Sequence, residues 1–305
     1  MNNSYQTLTE NYKEHLQTLG FSFHTVKSYP QMLRYFLNYL DMQGVSQINK
    51  LTQKHVNNYF DYLETRPNMR ISGKALSKAH LNKNFDAVDK FVEFLHVRGL
   101  ATAPQPTNYR ILETKSEIDG KVKAFTKEEV QTLYESTNKL FIQYTFKEAE
   151  PRRALAVLIL DLCYGCGLRR SEAYNLQIEN VDFDKKLLFI SQSKGNKDRY
   201  VPMSETITNR IKEFIYQHRR FFNTNDNRVF PLTFYSLPYY FKILLRYSGL
   251  HYDYGTGVHI LRHSIATHLL QNGMNIEQIS RFLGHSTLES TQVYTHLLEE
   301  NESAK

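Results

Sequence analysis

Apolar residues recur every three or four positions along much of the N-terminal third of this 305-residue chain. That spacing places the apolar side chains on one face of an α-helix. We predict three helices with these apolar faces: Val26, Tyr29, Leu33, Phe36, Leu37 and Leu40; Val56, Tyr59, Phe60 and Leu63; Leu81, Phe85, Val88, Phe91, Val92 and Leu95. Arg98-Gly99 should end the third helix. Pro30 should either kink the first helix or mark its true start.

The rest of the chain combines helical signals with one pair of short strands. Thr126 and Glu129 form a capping box, which opens a helix. The apolar run 154–163 and the stretch 259–270 predict two further helices. Residues 187–192 and 199–203 flank a polar turn, and they predict two antiparallel strands.

A polar stretch separates these two parts of the chain. It contains Pro104 and Pro106 and continues into a charged run up to Lys123. We therefore predict a helical domain of four or five helices over residues 1–105, a linker over residues 106–124, and a second domain over residues 125–305. The fold class is mainly α, and the second domain is mostly helical with a small antiparallel β-sheet.

The charge balance allows a nucleic-acid partner without proving one. The net charge is +7. Residues 1–110 carry 13 Lys and Arg against 8 Asp and Glu, whereas residues 111–305 carry 25 against 23. A basic domain suits a phosphate backbone, although ordinary surface lysines give the same surplus. No apolar run approaches the ~18 residues of a membrane span, and the N-terminus lacks the layout of a signal peptide. We expect a cytoplasmic protein without membrane contact.

The two cysteines form a single C-x-x-C motif, Cys163 to Cys166. Two cysteines exclude a disulfide framework. A zinc site of this type would need a second pair of ligands, which the sequence does not supply. The motif closes an apolar run, so we expect both thiols to be buried and structural.

One phenol, one guanidinium and several imidazoles lie close together near the C-terminus. The segments concerned are His259-Ile260-Leu261-Arg262-His263, Leu283-Gly284-His285 and Val293-Tyr294-Thr295-His296. Capping boxes starting at Asn275 and Ser286 predict that Tyr294 follows on a short helix. This set is typical of a site that gathers phosphate oxygens around a nucleophilic tyrosine. His259 and His263 have the spacing of a helical zinc site, but Arg262 lies between them and no Glu does, so we expect no metal. No glycine loop for ATP occurs, and we expect no cofactor.

With two upstream segments, these residues resemble the tyrosine recombinase (phage integrase) family, and most closely its Xer-type branch. The upstream segments are Gly167-Leu168-Arg169-Arg170-Ser171-Glu172 and Ser193-Lys194-Gly195-Asn196-Lys197-Asp198-Arg199. All the segments follow the family's order and approximate spacing. The first domain resembles the family's helical core-binding (SAM-like) domain more loosely, through Thr25, Tyr29 and Leu33 and through Leu81-Asn82-Lys83.

The resemblance implies a role for each residue of the site. Tyr294 would attack the scissile phosphate and form a 3′-phosphotyrosyl link. Arg169, Arg262 and His285 would bind the non-bridging oxygens of the transition state. His259 would accept the phenol proton, and Lys194 would protonate the departing 5′-oxygen. Lys197 or Arg199 could replace Lys194, since the sequence does not distinguish cations near a turn. Glu172 would orient an arginine or a histidine.

The implied function is site-specific recombination of double-stranded DNA through a Holliday junction. The resemblance implies a monomer when free and a homotetramer on DNA, with room for a partner recombinase or accessory protein. Base-reading residues are predicted on the first domain and comprise Lys27, His80, Asn82 and Lys83. Two alternatives remain at this point: relaxation of DNA as by a type IB topoisomerase, or a DNA-binding protein without activity. Integrase, invertase and Xer-like resolvase are all open as biological roles.

Overall fold

A computed structural model describes residues 3–68, 74–100, 102–112, 124–191, 198–250 and 257–284. The chain divides into two compact units, Met1–Thr114 and Lys115–Lys305. The described residues are mostly helical and include one three-stranded antiparallel sheet, so the predicted fold class is confirmed. No helix in the described ranges has both the length and the apolar character needed to cross a membrane.

Four α-helices are described in the first unit. They are α1 (Asn3–Thr18), α2 (Phe23–Met42), α3 (Gln53–Thr65) and α4 (Lys78–Val97), with a short 3-10 helix at Ile48–Lys50. The helices α2, α3 and α4 are the three that the periodicity predicts. Helix α1 is an addition, and it buries Tyr5, Tyr12 and Leu16 in the core of this unit.

Helix α2 starts well before Pro30. Its N-cap is Ser22, whose hydroxyl accepts a hydrogen bond from the backbone N–H of Thr25 at 3.2 Å. Pro30 is buried inside the helix, and having no N–H it leaves the carbonyl of Val26 without its usual helical donor. The alternative that Pro30 marks the start of the helix is therefore wrong.

The segment after α4 is bonded to that helix. The buried carboxylate of Asp89 accepts hydrogen bonds from the backbone N–H groups of Thr107 (2.8 Å) and Asn108 (2.9 Å). The Asn82 amide pairs with both backbone groups of Ile111, at 2.9 and 2.8 Å. The predicted linker 106–124 thus begins among residues attached to α4, and its residues 113–123 lie outside the described part of the chain.

The second unit contains seven described α-helices and three strands. The helices are α5 (Lys127–Ser136), α6 (Phe146–Leu160), α7 (Arg170–Asn175), α8 (Glu205–Glu213), α9 (Ser236–Ser248), α10 (His259–Gln271) and α11 (Ile276–Leu283). The strands are β1 (Val181–Asp182), β2 (Leu187–Ile190) and β3 (Arg199–Pro202). Shorter turns of helix lie at Thr137–Lys139, Asp161–Gly165, Ile178–Asn180, Phe214–His218 and Arg219–Phe222.

The sheet has the order β1-β2-β3, and both pairs are antiparallel. The β2–β3 pair is the predicted hairpin, whereas β1 has two residues and gives no periodic signal. Leu188 and Val201 are opposite each other and fully buried, so this face of the hairpin covers the core. Side chains alternate along a strand, so Arg199 shares the inward face of Val201.

The apolar run 154–163 does not form one uniform helix. Helix α6 ends at Leu160, and a single π-helical turn, Asp161–Gly165, follows it. Cys163 and Cys166 are both buried and unpaired, which confirms the prediction of buried thiols. Burial raises the pKa of the Cys163 thiol to about 12. The chain then turns at Gly167, where φ is +60°, and enters α7.

Candidate active site

Glu172, in the first turn of α7, lies among three arginines. Its side chain is 8% exposed. Arg199 binds it through both terminal nitrogens, with Nη1 3.1 Å from Oε1 and Nη2 2.8 Å from Oε2. Arg169 donates from Nη1 to Oε1 at 2.7 Å, and Nη1 of Arg262 lies 3.8 Å from Oε2. We call these four side chains the arginine cluster; three guanidinium groups against one carboxylate leave it positively charged.

The carboxyl group of Glu172 remains ionised because of its partners. Burial acts to raise its pKa, but the hydrogen bonds and charge of Arg199, and then the hydrogen bonds from Arg169, lower the pKa to about 2. A charged acceptor strengthens each of these hydrogen bonds. The carboxylate can therefore fix the orientation of the guanidinium groups around it at any physiological pH.

The start of α7 places Arg169 beside Glu172. The backbone N–H of Arg169 donates to Glu172 Oε2 at 2.8 Å, and this bond ties the N-terminal end of α7 to the same carboxylate. The preceding Gly167 packs tightly, since a Cβ there would lie 2.9 Å from the side chains of both Leu283 and Phe282. The backbone of residue 167 can approach α11 this closely only as glycine.

All three arginines also bind the C-terminal end of α11. Arg199 Nε donates to the Phe282 carbonyl at 3.2 Å. Arg262 Nη2 and Arg169 Nη2 donate to the carbonyls of Leu283 and Gly284, each at 2.7 Å. The last carbonyls of a helix lack helical partners and carry the negative end of its dipole, so cations stabilise them. The cluster thus fixes the path of the chain at Gly284, the residue immediately before His285.

Arg262 is the most enclosed arginine of the candidate site. It is 7% exposed. Besides its bond to Leu283, its Nη1 donates to the Gly167 carbonyl at 2.6 Å. It lies one helical turn after His259 on α10, and helix α10 is itself anchored where Ser264 Oγ accepts from the backbone N–H of Phe125 at 2.8 Å. Arg262 therefore joins α10, the loop before α7 and the end of α11.

His259 is the first residue of α10, and its imidazole is predominantly neutral at pH 7. Desolvation and then the charge of Arg170 lower its pKa below the ordinary value of 6.5. The ring of His263 lies perpendicular to it, with 5.7 Å between the centroids. Burial, with the charges of His259 and Arg262, lowers the pKa of His263 to about 4. A neutral imidazole at the helix start is able to accept a proton.

His268 on α10 has a structural environment. Its two ring nitrogens lie 2.9 Å from the Tyr164 hydroxyl and 2.9 Å from the Phe125 carbonyl. The carbonyl can only accept, so the nitrogen facing it carries a proton. Burial lowers the pKa of His268 below its ordinary value of 6.5, which favours the neutral ring, and in that form the other nitrogen accepts from the Tyr164 hydroxyl.

The structure brings Arg169, Glu172 and Arg262 together, and it adds Arg199. The sequence analysis named Arg199 only as an alternative to Lys194. Its guanidinium instead lies buried against Glu172. Arg199 is two residues before Val201 on the same strand, so the strand alternation could have indicated that both side chains face inward. The described part of the chain does not include Lys194, Lys197, His285, Tyr294 and His296.

The base-reading residues predicted on the first unit differ in their surroundings. Lys27 on α2 and His80 and Lys83 on α4 are exposed. Asn82 is half-buried, and its amide is engaged with the backbone of Ile111, as described above. Exposed side chains can reach a partner surface, whereas the Asn82 amide would have to exchange its present bonds for new ones.

Comparison with known proteins agrees with these features. The profile of the "Phage integrase family" matches residues 123–301, and that of the "Phage integrase, N-terminal SAM-like domain" matches residues 9–99. Tyrosine recombinase XerD of Rickettsia bellii is 27% identical over 294 residues, which cover 91% of this chain and 90% of the relative.

Two solved structures share the fold. XerH bound to palindromic difH in a post-cleavage complex has a TM-score of 0.68 at 19% identity, with 96% of this chain and 84% of that chain covered. A lambda integrase tetramer bound to a Holliday junction has a TM-score of 0.64 at 15% identity, with 94% and 76% covered. The resemblance found in the sequence is confirmed: the chain belongs to the phage integrase family of tyrosine recombinases, enzymes that break and rejoin DNA strands.

Proposed function

We propose that this chain recombines double-stranded DNA at a specific site through a covalent 3′-phosphotyrosyl intermediate on Tyr294. The observation that carries the proposal is the arginine cluster, which presents positive charge from fixed positions next to the chain that leads to His285. Phosphoryl transfer builds negative charge on the non-bridging oxygens, and preorganised donors there lower the barrier most effectively.

Arg169 is the best-placed donor of the cluster for a phosphate. Its side chain is 34% exposed, in contrast to the buried Glu172 that it binds. Two of its N–H groups hold it to Glu172 and to the Gly284 carbonyl. A guanidinium has five N–H donors, so a phosphate can be bound while both anchors remain. Arg262, anchored to the carbonyls of Gly167 and Leu283, is proposed as the second donor, and His285 as the third.

The proton transfers are assigned to residues with suitable acidity. The phenol of Tyr294 needs a base, since its ordinary pKa is about 10. The neutral His259 is proposed as that base. The tyrosyl oxygen then forms a bond to phosphorus as the bond from phosphorus to the 5′-oxygen breaks, and Lys194 protonates the departing oxygen. Attack by a 5′-hydroxyl of the partner duplex reverses these steps, so bond energy is conserved and no ATP is needed.

Recombination between duplexes requires several active sites acting in sequence. The lambda integrase and XerH structures contain a tetramer on a Holliday junction and a cleaved difH site, respectively. By analogy we propose that this chain assembles as a tetramer on two DNA sites, in the cytoplasm. The relatives are named recombinases, which does not favour the topoisomerase alternative or an inactive DNA-binding protein. Integration, inversion and dimer resolution each fit the chemistry.

A nicked suicide duplex tests the proposal. Candidate sites are inverted repeats beside the gene, or sequences selected from random DNA by binding. We expect the wild-type protein to become covalently attached to the DNA and Tyr294→Phe to bind without attachment. Strand transfer between two sites should follow with intact duplexes. Attachment that persists in Tyr294→Phe, or relaxation of plasmids without strand transfer, would contradict the proposal.

A further inference from the structure

We propose that Arg199 is a positioning residue of the cleavage reaction: it holds Glu172, and through Glu172 the guanidinium of Arg169, in the orientation that meets the scissile phosphate. This inference rests on the proposed function, and it adds a residue that the proposed reaction steps do not use. Arg199 acts through its neighbours and is not proposed to touch the DNA.

The side chain of Arg199 is held in place by hydrogen bonds to Glu172 on α7 and to Phe282 on α11. Among the described residues it makes three hydrogen bonds: two to the carboxylate of Glu172 and one to the carbonyl of Phe282. Its side chain is 8% exposed, as is that of Glu172. A bidentate guanidinium–carboxylate pair fixes the relative plane of the two groups as well as the distance between them. Arg199 therefore determines which way the carboxylate of Glu172 faces.

Glu172 passes this orientation on to Arg169. Oxygen Oε1 accepts from Arg199 at 3.1 Å and from Arg169 at 2.7 Å, so one atom is shared by the two guanidinium groups. Oxygen Oε2 accepts from Arg199 and from the backbone N–H of Arg169. Without Arg199, the buried carboxylate would keep, among the described residues, the contacts of Arg169 and Arg262. It would then be free to rotate and draw Arg169 away from the phosphate.

The fit around Arg199 also reaches the end of α11. A Cβ on Gly284 would lie 2.8 to 2.9 Å from three atoms of the Arg199 side chain. The Phe282 carbonyl accepts from Arg199 Nε at the same helix end. One side chain on β3 therefore contacts both α7, which carries Glu172, and the residues directly before His285. A purely local role for Arg199 in the sheet would require none of these contacts.

Arg199 is poorly suited to the other role that the sequence left open for it, which is protonation of the leaving oxygen. A guanidinium keeps its proton in proteins, so it is a poor general acid. Arg199 is moreover enclosed and directed at Glu172. The two roles predict different responses to a substrate in which sulfur replaces the bridging 5′-oxygen, because a thiolate leaves without needing an acid.

The test compares Arg199→Gln and Arg199→Lys with wild type in single-turnover cleavage of the suicide duplex, with protein in saturating excess. We expect the cleavage rate of Arg199→Gln to fall on the order of 10²-fold, the effect of a small misplacement of a catalytic group. The cleavage rate of Arg199→Lys should lie between those of wild type and Arg199→Gln, because lysine keeps the charge and loses the bidentate geometry. The DNA dissociation constant should change less than twofold in both.

Two controls separate positioning from stability and from acid catalysis. Arg210→Gln removes an arginine from another buried carboxylate of the same unit, Asp161, 3.2 Å away. It should lower the melting temperature and leave the cleavage rate unchanged. The substrate with sulfur at the bridging 5′-position (a phosphorothiolate) should restore cleavage by Lys194→Ala and should not restore cleavage by Arg199→Gln.

The inference and the proposed function fail in different ways. A wild-type cleavage rate for folded Arg199→Gln, or restoration of its cleavage by the phosphorothiolate substrate, would overturn the positioning role. The proposed role of Tyr294 as nucleophile would remain. The positioning role would also be overturned if Arg199→Gln lowered the melting temperature as much as Arg210→Gln does and left the cleavage rate unchanged. Absence of any Tyr294-dependent attachment by the wild-type protein would refute the proposed function, and the role of Arg199 with it.

Discussion

At the scale of single residues, the candidate site depends on one buried carboxylate. Glu172 compensates three guanidinium groups that would otherwise repel one another, and they in turn keep it ionised. Buried charges are tolerated when they are paired and hydrogen-bonded, and removing one partner is expensive. The cluster is therefore stable only as a set, which suits a site that must present fixed donors to a phosphate.

Glu172 should make the second unit sensitive to acid. Its pKa is about 2 in the folded protein against an ordinary 4.5, so the stabilisation it provides is complete above pH 4.5 and is lost as the pH falls towards 2. The shift corresponds to about 3 kcal/mol. Denaturant unfolding at several pH values should show a steeper loss of stability for wild type than for Glu172→Gln. Parallel curves for the two proteins would contradict this assignment.

His259 should determine the acidic limb of the cleavage reaction. A base must be unprotonated, so the rate should fall as the pH drops through its pKa, which lies below 6.5. We expect a plateau near neutral pH and a loss of ~10²–10⁴-fold in His259→Ala. Arg170→Gln should shift the limb to higher pH, because the charge of Arg170 helps to lower this pKa. A limb that is unchanged in His259→Ala would exclude it as the base.

At the scale of secondary structure, the end of α11 is the element that the cluster controls. Three arginines from β3, α10 and the start of α7 bind its last carbonyls, and Gly284 ends it in the left-handed conformation with φ of +66°. These contacts involve segments far apart in the chain. The geometry of this helix end is therefore a product of tertiary structure more than of its own sequence.

Gly284→Ala should show how tightly this helix end is held. A left-handed φ costs about 1–2 kcal/mol in an alanine. Gly273→Ala is the matched control, since Gly273 has φ of +84° and, in the described part of the chain, no atom within 4 Å of an added Cβ. Gly284→Ala should be destabilised more than this control and should cleave more slowly, because its Cβ would displace Arg199. Equal stability and equal cleavage in the two variants would contradict the tight fit.

Local sequence signals predicted a large part of the elements. Periodicity and caps act within a few residues, so α2, α3, α4 and the capping box of Thr126 and Glu129 could be inferred directly. Asn275 is an N-cap as expected, and the box predicted at Ser286 lies outside the described residues. Helix α1 was missed although its apolar residues Tyr5, Leu8, Tyr12 and Leu16 recur every three or four positions. Strand β1 is too short to give a pattern.

The candidate site was predictable in its residue types and not in its connections. Family motifs brought out Arg169, Glu172 and Arg262, which the structure places together. The pairing of Arg199 with Glu172 joins residues 27 apart in sequence and depends on how the hairpin packs on α7. No local pattern encodes such a contact, although the inward side of β3 hinted that Arg199 is buried.

At the scale of the whole molecule, DNA binding should be strongly electrostatic. The chain carries a net charge of +7, most of it in the N-terminal third. Exposed lysines on α2 and α4 add charge that phosphates can neutralise, with release of counterions. The binding constant should therefore fall steeply with salt, and the slope should report how many phosphates the protein contacts.

Lys27→Ala and Lys83→Ala should each reduce the slope of log K against log salt by about 1. Lys13→Ala removes the same charge from a different helix, α1, and serves as the control. Fluorescence anisotropy over a range of salt concentrations measures all three. Slopes for Lys27→Ala and Lys83→Ala that match the control would exclude these lysines as phosphate contacts.

The central claim is the covalent link between Tyr294 and a 3′-phosphate of DNA, and mass spectrometry of the trapped complex tests it most directly. Trypsin should release residues 282–305 as one peptide, in which Tyr294 is the sole tyrosine. After nuclease digestion we expect this peptide to carry a nucleotide through its 3′-phosphate on Tyr294. A nucleotide on another residue, or one linked through its 5′-phosphate, would contradict the account.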